Sequence, residues 1–312
     1  MEIFIKVIVL IALYGSILAI ASISGIFSER VGIVNIAIDG MMIVGATFYA
    51  LFAHLFTKAG LTSMWNQIPL MFFAALLTMA FAWLHGFVTI KLKANQIISG
   101  VAINFLAIGI SWIIILFFGE ARRLDFRILE LAASTNGTNP LNIISFKVFV
   151  LITIVAASWF FFKKTKFGLR YKAIGENPQA IDVVGINVYK YKWIGVSISG
   201  FLAGVAGSIF VQNEPSSFQV SVRGLGFLAL AIMIMGQWKV LPSAFSALFF
   251  ALLFSLAITI NSENQGPLLS VKKYSNVLLF LPYLITLTIL LGFSKKIKIP
   301  KAVGIPYDKS QR

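Results

Sequence analysis

The chain contains no cysteine. Disulfides, thiolate nucleophiles and cysteine-based metal sites are therefore excluded. Its two histidines, His54 and His85, lie in separate apolar segments without partners at ligand spacing. Both read as packed or helix-end side chains, and no metal site is expected. Acidic residues are scarce, 11 against 26 Lys and Arg, and all four charged types together make up only 12% of the 312 residues. The chain lacks G-x-x-x-x-G-K-[ST], so it has no P-loop for ATP, and it also lacks H-E-x-x-H and G-x-S-x-G. Asp39 is the one acid clearly inside an apolar run, which leaves no series of carboxylates to relay protons. No catalytic cluster can be assembled, so no catalytic residue is expected. The shortage of membrane acids also disfavours an ion-coupled secondary transporter.

What fills the chain instead is hydrophobic residues, 59% of the total. Runs of about twenty apolar residues recur, the length that crosses a bilayer as a helix. The fold class expected is an all-α polytopic membrane protein. Spans are predicted at Ile3–Ile26, Ile33–Phe56, Ile68–Ile90, Ala94–Phe118, Ile143–Phe162, Trp193–Gln212, a short Leu225–Met235, Pro242–Ile260 and Asn276–Phe293. Ala19-x-Ala21 faintly resembles a signal-peptidase site, but the apolar run continues past it, so a retained helix is expected. The second span is unusual: it carries Asn35, Asp39, Gly40 and Gly45, and is expected to be broken or re-entrant. Nine spans put the N-terminus outside. A broken second span makes the count eight or ten and puts it inside.

A net charge of +15 in a soluble protein would suggest nucleic acid. Here the basic residues fall in short loops and in the tail, so anionic membrane lipid is the expected partner and nucleic acid is not. Seventeen of the 26 basic residues lie on the side holding Arg30, Lys91, Lys93, the loop 163–192, Lys239 and the tail. That side is cytoplasmic by the positive-inside rule. Gly119–Asn142 and Asn261–Ser275 then face outside. Residues 1–294 form one transmembrane domain, and residues 295–312 a basic cytoplasmic tail.

The central loop, 163–192, is the longest polar interruption on the basic side. Within it Gly175-Glu176-Asn177-Pro178 has the form of a helix start. Asn177 can cap, and Pro178 suits the first turn because its missing donor is not needed there. Gln179–Val184 would form the helix and Gly185 would end it. On these grounds alone the loop fits a presented amphipathic helix and a solvated, topology-fixing loop equally.

Ser199, Gly200, Ala203, Gly204, Gly207 and Ser208 place small residues at helical spacing, a pattern for close helix packing in lipid. Asn35 and Asp39 are four apart and would share a helical face. An ionisable group there is costly in lipid, so that face should point inward. Two roles stay open for it. Asp39 can brace its helix through hydrogen bonds. Alternatively Asn35 and Asp39, with Asn104 of the fourth span, can line a path for a polar solute.

Three stretches carry a resemblance: SGIFSERVGIVNIAIDGMMIVGA (24–46), FGLRYKAIGENPQAIDVVGI (167–186) and RGLGFLALAIMIMGQWKVLP (223–242), with weaker support from QIISGVAINFLA (96–107). They resemble permease subunits of ABC importers in the branched-chain amino acid and simple sugar superfamily, above all its nucleoside (guanosine-type) branch. The resemblance covers about residues 20–293. It departs from that branch at Asp39, Asn95 and Lys172, where Glu, Asp and Arg are usual. The resemblance implies a multi-pass permease of the bacterial cell membrane that performs no covalent chemistry. It implies that Gly175, Glu176, Asn177, Pro178, Gln179 and Ala180 form a coupling helix docked on an ATP-binding subunit. That subunit would hold the ATP and Mg, and this chain no cofactor. It further implies a second permease subunit, expected to make a hetero-dimer, and an extracellular substrate-binding lipoprotein. The substrate implied is a nucleoside, with simple sugars and branched-chain amino acids as alternatives.

Overall fold

In lipid every backbone N–H and C=O must find its partner within its own segment, and these apolar runs accordingly form helices. The computed structural model describes residues 2–120, 123–128, 130–133, 140–212, 217–262 and 299–309, together with 277, 280, 281, 283–285, 287 and 288. In chain order the helices are α1 (Glu2–Glu29), α2 (Ile38–Lys58), α3 (Gln67–Gly86), α4 (Gln96–Phe118), α5 (Phe146–Lys164), α6 (Lys166–Glu176), α7 (Pro178–Val183), α8 (Val188–Val211), α9 (Leu225–Met235) and α10 (Val240–Ser262). A π-helical turn, Phe87–Lys91, extends α3. Two short strands, β1 (Leu124–Asp125) and β2 (Ser217–Phe218), pair antiparallel with Leu124 opposite Phe218.

Among the described residues seven helices are long and apolar enough to cross a membrane: α1, α2, α3 with its π turn, α4, α5, α8 and α10. The protein is an all-α polytopic membrane protein. Of the nine predicted spans, α9 has only 11 residues, and Asn276–Phe293 lies largely outside the described residues. Outside them too are most of Asn261–Ser275, part of Gly119–Asn142, and 295–298 and 310–312 of the tail.

Helix α8 is central, packed against α1, α2 and α3. Its small residues make this possible. A Cβ on Gly204 would sit 2.7 Å from Thr78 Oγ1 and 2.8 Å from Ala75 Cα, and one on Gly207 would strike the Met42 carbonyl oxygen. Without a hydrophobic drive between helices in lipid, such backbone approach and cross-helix hydrogen bonds hold the bundle. Ser24 donates to the Ser199 carbonyl at 2.8 Å, and Thr47 and Ser111 pair their hydroxyls at 2.7 Å. Both histidines are packed as expected. His54 Nδ1 lies 2.6 Å from the Asp125 carbonyl, and His85 bridges Ser99 Oγ (2.9 Å) and the Val34 carbonyl (3.0 Å).

Two expectations are corrected. The second span starts at Ile38, not Ile33, because residues 30–37 form turns and extended chain. Asn35 therefore precedes the helix and shares no helical face with Asp39. The sixth span begins five residues early, at Val188, because Asn187 caps it by accepting from the Lys190 amide at 3.1 Å. Lys190 and Lys192 are thus helical, and the central loop condenses into α6 and α7.

Candidate functional site

The candidate site has two parts, a junction on the basic face and a polar seam in the bundle. The junction starts from α7. Asn177 Oδ1 accepts from the Ala180 amide at 3.0 Å, and Pro178 is the first helical residue. Gly185, at φ +83°, ends the segment in the left-handed conformation that glycine permits. The Asn177 cap and the Gly185 stop are those the sequence predicts, but the helix runs Pro178–Val183, and Gly175 and Glu176 close α6 instead of opening α7. Its outer surface carries Val183 and Val184, each 74% exposed. Glu176 and Ala180 are exposed, Gln179 is half-buried and Pro178 is buried.

Helix α6 anchors α7 to the membrane bundle. Thr165 caps α6 by accepting from the Gly168 amide at 2.9 Å. Tyr171 is fully buried, and its hydroxyl donates to the Phe27 carbonyl near the end of α1. Its ring meets Phe27, Phe161 and Phe162 edge-on at centroid separations of 6.0, 5.5 and 5.6 Å. Edge-to-face aromatic contacts add to the burial. Burial also pushes the Tyr171 hydroxyl well above the usual phenol range.

Gly175 makes the closest approach. A Cβ there would run into the Arg30 carbonyl oxygen, so only glycine lets the chain pass. On its other side the Gly175 carbonyl accepts from the Ala302 amide at 2.8 Å. Ala302 in turn lies over Gly32, where a Cβ would come 2.8 Å from its oxygen. Residues 299–309 of the tail are therefore docked on the junction. They are held further by a 2.9 Å ion pair between Lys93 and Asp308 and by contact of the Tyr189 and Tyr307 rings.

Arg30 joins this junction to the turn between α9 and α10. Its Nε donates to the Trp238 carbonyl at 3.0 Å, and a terminal nitrogen reaches the Gln237 carbonyl at 3.5 Å. Burial pulls Arg30 below its ordinary value, and the negative charge of Glu176 acts against that shift. Trp238 Nε1 donates to the buried Glu29 carboxylate at 2.6 Å. Glu29, Arg30, Tyr171, Trp238 and Ala302 were not singled out from sequence. Glu29 and Arg30 read there as ordinary loop charges. Only their place at the end of an apolar helix, beside Gly32, marked them.

The seam runs inward from Glu29. Asn35 Nδ2 donates to Ser199 Oγ at 2.7 Å, while Asn35 Oδ1 is buried with no partner among the described residues. Asp39 Oδ1 accepts from the Gly226 amide at 2.9 Å, at the start of α9. Asn104 accepts from the Gly40 amide at 2.8 Å and donates to the Ile36 carbonyl at 3.0 Å. Asp39 and Asn104 are thus each bonded to backbone, Asn104 at Gly40 and Asp39 at Gly226, while Asn35, in the turn before α2, bonds to Ser199 of α8. Among the described residues no group of three or more His, Asp or Glu could hold a metal ion.

Residues 7–287 match the family described as branched-chain amino acid transport system / permease component. The chain is 36% identical to the nucleoside ABC transporter permease protein NupC of Lactococcus lactis, covering 96% of this chain and 95% of the relative. It is also 36% identical to the guanosine ABC transporter permease protein NupQ of Bacillus subtilis, with the same coverage. A second Lactococcus lactis protein, the nucleoside ABC transporter permease protein NupB, is 22% identical over 94% of this chain and 84% of its own length. No solved structure matches the chain significantly. A chain with seven apolar spans among its described residues, matched from its first helix to residue 287, belongs to the branched-chain amino acid transport system permease family.

Proposed function

We propose that the chain is a transmembrane subunit of an ATP-driven nucleoside importer. The observation that carries this reading is 36% identity, end to end, to permease proteins named for nucleosides and guanosine. Simple sugars and branched-chain amino acids are the alternative substrates. In this reading α7 is the coupling helix, and Gly175, Glu176, Asn177, Pro178, Gln179 and Ala180 present it to an ATP-binding subunit. ATP and Mg belong to that subunit. This chain performs no covalent chemistry. A substrate-binding lipoprotein delivers the solute from outside, and a second permease completes the pathway. That one organism carries two unequal relatives, NupC and NupB, supports a hetero-dimer.

The mechanism follows from what α7 touches. Closure of the ATPase moves α7, and Gly175 passes the motion to Arg30 by direct backbone contact. Arg30 and Glu29 carry it to the turn at Trp238, and so to α10. The helices then tilt between two access states. Within the seam, Asp39 and Asn104 brace backbone, whereas Asn35 keeps an acceptor that a solute hydroxyl or base edge can use as the helices part. Contacts should be weak, because an importer must release what it receives.

The test is uptake of labelled guanosine into vesicles containing the assembled complex. Uptake should require ATP on the ATPase side, resist an ionophore, and be outcompeted by nucleosides but not by glucose or leucine. Uptake driven by an ion gradient without ATP would overturn the reading.

A further inference from the structure

A cavity of about 360 Å³ opens beside the junction. Four cations line it, Arg30, Lys163, Lys172 and Lys239, together with Trp159 and Trp238, and no acid is among the lining residues. The nearest carboxylates are already engaged. Glu29 accepts from the Trp238 indole, and the charge of exposed Glu176 acts on Arg30. Lys163 lies over the Trp159 ring, 5.3 Å from its centroid.

A second cavity, about 350 Å³, adjoins the first and shares Trp159 and Leu241 with it. Its remaining walls are apolar: Ala19 of α1, residues of α5 such as Ile152 and Ala156, and residues of α10 such as Phe245. The two cavities adjoin at Trp159 and Leu241, one basic at the helix ends and the other apolar along the spans. Lys163 closes α5 and Lys239 directly precedes α10, so the basic end sits at the cytoplasmic border of the bundle. The flank is outward-facing, since Phe149, Ile152 and Phe160 of α5 are exposed.

We infer that this pair of cavities is a binding site for one anionic phospholipid. The headgroup phosphate would sit among Lys163, Lys172, Lys239 and the remaining donors of Arg30. An acyl chain would lie in the groove between α1, α5 and α10. Basic pockets between helices on the cytoplasmic side suit such headgroups. Charge complementarity demands an anion, and the adjoining apolar groove demands a hydrocarbon tail. Free phosphate satisfies only the first condition. An acidic segment of a protein partner would leave the groove uncovered. Because Arg30 belongs to both site and junction and Lys172 lies on α6, the lipid would tie α5 and α10 to α6.

The experiment uses the full chain purified in mild detergent and native mass spectrometry. The probes are dioleoylphosphatidylglycerol, dioleoylphosphatidylcholine and inorganic phosphate. One phosphatidylglycerol should be retained in preference to phosphatidylcholine. The double variant Lys163→Gln/Lys239→Gln should lower that preference roughly thirtyfold, the effect of removing two interfacial cations. Ala156→Phe, which fills the groove and keeps every cation, should also lower retention. Lys164→Gln/Lys166→Gln removes the same charge from exposed positions outside the cavity and should leave retention unchanged. Equal retention of the two lipids would overturn the inference, as would equal losses in the two double variants. Displacement of the lipid by millimolar phosphate, with Ala156→Phe still binding, would assign the site to free phosphate instead. An anionic lipid held by the isolated chain but excluded from the assembled complex would assign the face to a partner subunit.

Discussion

The carboxylate of Asp39 accepts a hydrogen bond from the backbone amide of Gly226 at 2.9 Å, tying the first turn of α2 to the first turn of α9. A Cβ on Gly226 would collide with the Asp39 backbone, so only glycine lets the start of α9 come this close to α2. A carboxylate at a helix N-terminus satisfies free amides and complements the helix dipole. Asp39 is therefore a brace between elements far apart in sequence.

The first prediction follows from that brace. Asp39→Ala should lower the amount of assembled complex, consistent with loss of a cap worth about 1 kcal/mol. Asp39→Asn keeps an acceptor oxygen and should lose less. Guanosine uptake divided by assembled complex should stay at the wild-type level in both. A changed rate or selectivity per complex would move Asp39 into the solute path.

The cap and stop of α7 were legible in sequence because capping is local chemistry. Asn177, Pro178 and Gly185 each act within a few residues of themselves. The small-residue face of α8 was legible for the same reason, as a repeat along one helix. The contacts made by Asp39 were not. Gly226 lies 187 residues away, and nothing in spacing can report that distance. Asn35 was misplaced because helical periodicity was carried back over residues 33–37, where turns interrupt it. The docked tail was hidden for another reason. Its charges read as a solvated extension, whereas Ala302 and Tyr307, both buried, hold it down.

The second prediction concerns Gly175. Gly175→Leu forces a side chain into the Arg30 carbonyl, so the end of α6, which carries α7, cannot seat against the turn after α1. The chain should insert normally, while ATP hydrolysis by the complex continues with little or no guanosine uptake. Parallel measurement of hydrolysis and uptake checks this. Uptake per ATP at the wild-type ratio would show that the contact is dispensable.

Tyr171 sets a pH dependence. An unfolded tyrosine ionises near pH 10, whereas burial holds the folded hydroxyl well above that value. Its stabilising contribution is thus complete below about pH 10 and is lost as pH rises beyond it. Tyr171→Phe removes the hydrogen bond to Phe27, at a cost of about 1 kcal/mol. It should lower the melting temperature at pH 8. Above pH 10 its melting temperature should fall less steeply than that of the wild type. Parallel curves across that range would contradict a buried, protonated Tyr171.

Orientation is testable directly because the chain has no cysteine of its own. Leu61 and Val184 are both exposed, on opposite sides of the bundle by the charge argument. In intact cells Leu61→Cys should react with an impermeant thiol reagent and Val184→Cys should not. The reverse pattern would invert the assigned orientation.

The central claim is that α7 delivers the work of an ATP-binding subunit to this bundle. Val184, 74% exposed at the end of α7, is the residue from which to test it. A photo-reactive cross-linker attached at Val184→Cys in the assembled, transporting complex should capture the ATP-binding subunit, with a yield that changes when ATP is added. Cross-links confined to lipid or to the extracellular lipoprotein would contradict the account.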